Sequence, residues 1–77
     1  MTHDLKILPI YFEAVLKEVK TFELRKNDRN FKTEDMLRLR EFSNGEYTGR
    51  EVWRRVTYIL EGGCYGLEEG YVILAIV

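Results

Sequence analysis

Three charged side chains at the spacing Lys-x-x-Glu-x-Arg form the most informative chemical pattern in this chain: Lys20, Glu23 and Arg25. They lie where a predicted helix gives way to a predicted strand. Side chains of a strand alternate between its two faces, so Glu23 and Arg25 share a face, with Lys20 just before it. Arginine offers a fork of donors to a phosphate or base edge, lysine a point charge, and glutamate an acceptor for an exocyclic amine. The spacing therefore favours a site for a polar ligand of this kind.

The same three side chains also fit a simpler interpretation. On a solvent-exposed strand they would form a network of ion pairs, each worth ~0 to 1 kcal/mol. On spacing alone, such a network is the more common outcome, and the sequence leaves both interpretations open.

A short strand and a helix lead into this junction. Residues 4–8 (DLKIL) alternate apolar and polar side chains, as a half-buried strand does. Pro9 ends that strand and suits the first turn of a helix, where its missing N–H is not needed. Apolar residues then recur at helical spacing, which predicts a helix over residues 9–19. The residues of this stripe are Phe12, Val15, Leu16 and Val19.

After the helix, the apolar period changes from helical to alternating. In residues 21–26 the apolar Phe22 and Leu24 are expected on one face, with the polar side chains on the opposite face. Residues 27–35 form a polar connection, with Phe31 as its expected anchor.

Three further strands complete the predicted sheet. Residues 36–42 alternate, with Leu37 and Leu39 inward, and Asn44-Gly45 is a strong hairpin signal before a strand over residues 50–60. Residues 71–77 (YVILAIV) are apolar on both faces, which indicates a central strand or one in a closed sheet.

This element order, β-α-β-β-β-β, places the chain in the α+β class, mostly β. Five short strands and one main helix in 77 residues favour a small β-barrel or a strongly curved antiparallel sheet, since closure removes exposed edges. We expect residues 1–77 to form a single domain.

Composition excludes several classes of function. The 12 basic and 13 acidic side chains nearly balance, so no global field attracts nucleic acid, although residues 17–40 are modestly basic. Cys64 is the only cysteine and His3 the only histidine, which excludes an internal disulfide and a four-ligand zinc site. No apolar run reaches the ~20 residues of a membrane helix. We therefore expect a cytoplasmic protein without membrane contact, metal or cofactor.

Other candidate residues carry weaker signals. Tyr65, in a glycine-rich loop, is the best aromatic for stacking on a nucleobase. Cys64 as a nucleophile would need His3 beside it, and a near-terminal histidine is usually disordered. Four arginines on the neighbouring hairpin strands form either a basic stripe for phosphates or a solvated face balanced by Glu41 and Glu51: Arg38, Arg40, Arg54 and Arg55.

The run KTFELRKNDR, with DLKILPIYFEAVL before it and GEYTGREV and ILEGGCYGLEEGYVILAI after it, closely resembles the DUF3850 family. This family of uncharacterised bacterial and phage proteins belongs to the ASCH domains of the PUA-like superfamily. The resemblance runs from about His3 to Ile76 and is most specific in the Lys-x-x-Glu-x-Arg core and its Asn-Asp-Arg extension. It implies a PUA-type β-barrel with a helix beside a cleft, and a role in binding RNA or another nucleic-acid component.

The resemblance maps onto individual residues of this chain. The family core falls on Lys20, Glu23 and Arg25, and the extension includes Asn27 and Arg29, which would close the rim of the cleft. The family often has a glycine just before this motif, where this chain has Glu18-Val19, so the helix end is expected to be less sharp or shifted.

Two functions from different classes follow. The leading expectation is a non-enzymatic, monomeric module that binds RNA or a nucleotide through Lys20, Glu23, Arg25, Asn27, Arg29 and Tyr65. The alternative is a small amidohydrolase acting on an acetylated nucleoside, as some ASCH proteins are, with Lys20, Thr21 and Glu23 as its catalytic residues. A third expectation is an accessory protein whose apolar C-terminal strand pairs with a partner.

Overall fold

One five-stranded mixed sheet and one helix account for the architecture of the computed structural model, which describes residues 1–77. The predicted α+β, mostly β class and the order of the elements are confirmed. The elements are β1 (Thr2–Ile7), α1 (Pro9–Leu16), β2 (Phe22–Lys26), β3 (Met36–Ser43), β4 (Glu46–Glu61) and β5 (Tyr71–Ile76).

The sheet is open, so the predicted barrel is wrong. Its strand order is β1-β3-β4-β5-β2, which leaves β1 and β2 as unpaired edges. An all-antiparallel sheet is also wrong, because β1 runs parallel to β3. Parallel neighbours need a long crossover, and the chain between β1 and β3 supplies one through α1 and β2. The other three pairs are antiparallel, and β5 is central as predicted.

The 16-residue strand β4 joins the two halves of the sheet. It pairs with β3 along its first part and with β5 along its second, and the register shifts in both ladders, between Arg40 and Phe42 and between Val56 and Tyr58. Bulges bend a strand and increase its twist, so these shifts curve the sheet. β4 begins earlier than predicted because Asn44-Gly45 forms the whole turn, with φ of 53° and 83°.

Helix α1 begins at Pro9 as predicted but ends at Leu16, three residues early. The backbone turns left-handed at Glu18 (φ 62°), and the amides of Val19 and Lys20 both donate to the carbonyl of Ala14. Glu18 thus holds the conformation that a helix-ending glycine adopts without strain. Leu16 and Val19, which the helical stripe placed on the core side, are exposed.

The core lies between one face of the sheet and α1. It contains twelve buried apolar side chains, and Phe31 is among them, as predicted for the anchor of the connection. Strand β2 contributes none of them. The core residues are Leu5, Ile7, Phe12, Val15, Phe31, Leu37, Leu39, Val52, Val56, Val72, Leu74 and Ile76. No helix in the structure has the length and apolarity to cross a membrane.

Candidate ligand-binding cleft

A cleft of about 430 Å³ opens where the two unpaired edges of the sheet face each other. The end of β1, the start of α1 and the strand β2 supply its walls. Small-molecule sites span ~300 to 1,000 Å³, so the cleft is large enough for one compact ligand. Its lining residues are Lys6, Ile7, Leu8, Tyr11, Lys20, Phe22, Glu23, Leu24 and Arg25.

Strand β2 presents its polar face to the interior, the reverse of what its apolar residues predict. Glu23 lies opposite Leu74 of β5, shares the core face with it and is only 4% exposed, whereas Phe22 and Leu24 are 46% and 53% exposed. Alternation determines that Glu23 and Arg25 share a face, as predicted, but not which face points inward. Lys20 and Arg25 pair with Glu23 and so compensate for the burial of its charge.

The buried carboxylate of Glu23 is held between two cationic side chains. Lys20 Nζ donates to Oε1 at 2.9 Å, and Arg25 Nε donates to Oε2 at 3.2 Å. The side chains of Lys20 and Arg25 are themselves only 16% and 24% exposed. A buried charge is tolerated when it is paired and hydrogen-bonded, and both conditions are met. The ion-pair network of the simpler interpretation therefore exists, but in the wall of a cleft rather than on an open face.

Backbone contacts fix both cations in place. Lys20 Nζ also donates to the carbonyl of Phe22 at 2.7 Å, and Arg25 Nη2 donates to the carbonyl of Lys6 at 2.7 Å. The second bond spans the seam between β2 and β1, where a ladder would run in a closed barrel. These bonds use only part of the hydrogen-bonding capacity of the three side chains. One N–H of Lys20, further N–H groups of Arg25 and lone pairs of Glu23 remain for a ligand.

The lining of the cleft combines positive charge with aromatic surface. Lys6, Lys20 and Arg25 oppose a single carboxylate, that of Glu23. Tyr11 and Phe22 are about half exposed, and Lys20 Nζ lies 4.9 Å from the ring centroid of Phe22. The arrangement suits a ligand that carries a negative group and a planar ring. Lys6 and Tyr11 have no spacing signal, and only the fold brings them here.

Three predicted ligand contacts lie outside this lining. Asn27 lines a separate cavity of about 330 Å³, and its Oδ1 accepts a hydrogen bond from the amide of Phe31. Arg29 lies 3.8 Å from the carboxylate of Asp28. Tyr65 is 92% exposed on its loop. Their part in ligand binding stays a prediction.

Thr21, the nucleophile of the hydrolase alternative, lies in a different cavity from Glu23. It lines a space of about 280 Å³ together with Arg54 and Lys20, and Lys20 is the residue that this cavity shares with the cleft.

His3 is buried, so the expected disorder of this near-terminal histidine is wrong. Its Nε2 lies 2.8 Å from Oδ2 of Asp35, and its ring packs edge-on against Phe31. Burial acts to raise the pKa of Asp35, but the hydrogen bonds from His3 and the amide of Lys32 prevail and hold that pKa below its usual value. This pair anchors the connection before β3.

The predicted basic stripe divides between the two faces of the sheet. Arg54 lies opposite Leu37 and so shares the core side, whereas Arg38 lies opposite Trp53 on the outer side. Arg38 donates to Glu51 at 2.7 Å, and this hydrogen bond lowers the pKa of Glu51. Arg55 pairs with Glu34 in the same way. Arg38 and Arg55 are therefore largely neutralised by these carboxylates.

The fold and the cleft define a small, mostly-β protein with a ligand-sized opening at the unpaired seam of its sheet. The chain belongs to the DUF3850 family, since the family model described as "Domain of unknown function (DUF3850)" matches residues 2–76. It is similar to the "Uncharacterized 12.9 kDa protein in GpA 3'region" of Escherichia phage P2, with 41% identity over 59 residues. That match covers 77% of this chain and 54% of the phage protein, so the chain spans about half the length of this relative.

Proposed function

We propose that this protein is a non-enzymatic module that binds RNA or a nucleotide in the cleft between β1, α1 and β2. The observation that carries the proposal is the buried carboxylate of Glu23, held by Lys20 and Arg25 in the wall of that cleft. The resemblance to ASCH domains supports the same function, and we propose that the family belongs to that branch of the PUA-like superfamily.

The cleft contains a carboxylate and two aromatic rings that can bind the base of a nucleotide. Each oxygen of Glu23 accepts one hydrogen bond from a cation and retains a lone pair, so the carboxylate is available to an exocyclic amine. Tyr11 and Phe22 present exposed aromatic surface to the same cleft. Stacking of a base on such a ring contributes ~1 to 3 kcal/mol.

The three cations that line the cleft, Lys6, Lys20 and Arg25, are suited to bind the phosphate of a nucleotide. Lys6 makes no ion pair with a carboxylate, and Arg25 retains guanidinium donors beyond those given to Glu23 and the Lys6 carbonyl. Charge-assisted hydrogen bonds from such groups to phosphate are about twice as strong as neutral ones. Lys20 and Arg25 are already oriented by their bonds to protein, which lowers the cost of ordering them on binding.

The amidohydrolase alternative requires Lys20, Thr21 and Glu23 to act on one substrate. Thr21 and Glu23 line different cavities, so binding without catalysis accounts better for the geometry. Incubation with N4-acetylcytidine checks this preference. Release of acetate that disappears in Lys20→Ala would support the hydrolase, whereas no release, or release that persists in the variant, removes it.

Amide chemical shifts measured during a titration at low salt test the binding proposal. Nucleoside monophosphates and short single-stranded and hairpin RNAs serve as probes. We expect shifts concentrated at residues 6–8, 11, 20 and 22–25, which line the cleft. Absence of shifts, or shifts confined to residues 61–72 around the second cavity, would overturn the proposal.

A further inference from the structure

A second cationic and aromatic cluster lies beside the cleft, at the closed end of the β3–β4 hairpin. Phe42 and Tyr47 are cross-strand neighbours whose ring centroids are 5.2 Å apart, edge to face. The guanidinium carbon of Arg40 lies 3.9 Å from the Tyr47 centroid, and Lys6 Nζ lies 4.5 Å from the Phe42 centroid. We call Lys6, Arg40, Phe42 and Tyr47 the hairpin patch.

The positive charge of the hairpin patch is poorly neutralised. The one ion pair of Arg40 is a 3.9 Å contact with Asp4, and Lys6 has none. Glu51 lies opposite Arg40 and attracts it at longer range, but the carboxylate of Glu51 is hydrogen-bonded to Arg38. The neighbouring Arg38 differs, because Glu51 binds it at 2.7 Å and Asp4 lies 3.4 Å away. The outer face of the sheet therefore has a neutral region around Arg38 and a cationic region at the patch, which complements an anionic partner.

Lys6 connects the hairpin patch to the cleft. Lys6 belongs to the cleft lining, and its ammonium group lies over Phe42. Tyr47 is 41% exposed and the side chain of Arg40 is 30% exposed, so both are accessible to a ligand. Aromatic rings and arginine guanidinium planes are the surfaces on which unpaired bases stack. A ligand that fills the cleft has a second stacking platform on the far side of Lys6.

We infer that the ligand is a single strand of at least two nucleotides, with one base in the cleft and the next on the guanidinium of Arg40, which lies over the ring of Tyr47. This inference rests on the proposed function and extends it. Lys6 contacts the phosphate between the two nucleotides. The strand must be single because a base in a duplex is stacked on its neighbours and cannot lie on a side chain. Single-stranded RNA and DNA share this chemistry.

The test compares dissociation constants of nucleoside monophosphates with those of trinucleotides of RNA and DNA, by isothermal titration calorimetry. The variants are Arg40→Gln and Tyr47→Ala, with Tyr58→Ala as the matched control, since Tyr58 is a 65% exposed aromatic on the same strand outside both the cleft and the patch. We expect a trinucleotide to bind about tenfold or more tightly than a monophosphate. That gain disappears in Arg40→Gln and Tyr47→Ala, persists in Tyr58→Ala, and monophosphate binding stays unchanged in all three.

The outcomes separate the two proposals. If monophosphates bind and trinucleotides gain nothing, the inference is overturned and the proposed function stands. If the gain survives both patch variants, or Tyr58→Ala removes it equally, the inference is also overturned. If no nucleotide binds, both proposals fail. If Tyr47→Ala does not fold, Arg40→Gln alone tests the inference, because this substitution leaves the rings of Phe42 and Tyr47 in place. A gain seen with RNA and not with DNA assigns the ligand to RNA.

Discussion

At the scale of single residues, Glu23 is the charged group on which the cleft depends most. It is the only β2 side chain that is buried, and two partly buried cations direct their donors at it. Its removal would leave both cations without a counter-charge in a poorly solvated wall. The same carboxylate therefore serves the stability of the fold and the shape of the site.

Replacing Glu23 by glutamine is expected to lower the free energy of unfolding by about 2 kcal/mol. Breaking a fully buried pair costs ~3 to 5 kcal/mol, and the partial exposure of Lys20 and Arg25 reduces that cost. Urea unfolding measures it, with Glu46→Gln as the control because Glu46 is exposed at the start of β4. Equal effects of the two substitutions would contradict this account of Glu23.

The lowered pKa of Asp35 predicts how the free energy of unfolding depends on pH. Because the folded-state pKa of Asp35 is held below its usual value, the folded protein gains stability above the unfolded-state pKa near ~4 and loses it as pH falls through the lowered folded-state pKa. Urea unfolding between pH 6 and pH 2 should show this loss. Asp35→Asn should flatten that part of the pH dependence, and Asp28→Asn, at an exposed carboxylate, should not.

At the scale of elements, periodicity predicts which segments form strands and which forms the helix, but not how they face or pair. The alternation in residues 21–26 correctly predicts that Glu23 and Arg25 share a face. It does not say which face points inward, because that direction depends on contacts with β1 and β5, which are distant in sequence from the pattern. The parallel pairing of β1 with β3 is likewise a long-range property that no local pattern contains.

The backbone conformation at the end of α1 predicts that a glycine there stabilises the fold. Glu18 adopts a left-handed conformation (φ 62°) that costs a residue with a Cβ ~1 to 2 kcal/mol and costs glycine little. We expect Glu18→Gly to raise the free energy of unfolding by about 1 kcal/mol, since the greater freedom of glycine in the unfolded chain offsets part of the gain. Glu18→Ala is the control and should show no such gain. A destabilised glycine variant would refute the strain at this position.

At the scale of the whole molecule, the site exists because the sheet does not close. A barrel would pair β1 with β2 and fill the space that the cleft occupies. Here one side-chain bond, from Arg25 to the carbonyl of Lys6, spans the seam, and residues from both edges line the opening. The sequence pattern indicates five strands and strong curvature, but closure depends on edge geometry that composition and periodicity do not determine. Much of the site was predictable through its motif, whereas Lys6 and Tyr11 were not.

The central claim is that this cleft binds a nucleotide, and the dissociation constant of a nucleoside monophosphate tests it most directly. The comparison uses the wild-type protein, Arg25→Gln and Arg55→Gln, because Arg25 lines the cleft and Arg55, which is paired with Glu34, does not. Loss of a charge-assisted hydrogen bond worth ~1.5 to 3 kcal/mol predicts that Arg25→Gln weakens binding by about tenfold or more. Arg55→Gln should leave the constant within about twofold. Equal constants for wild type and Arg25→Gln, with both proteins folded by circular dichroism, would contradict the claim.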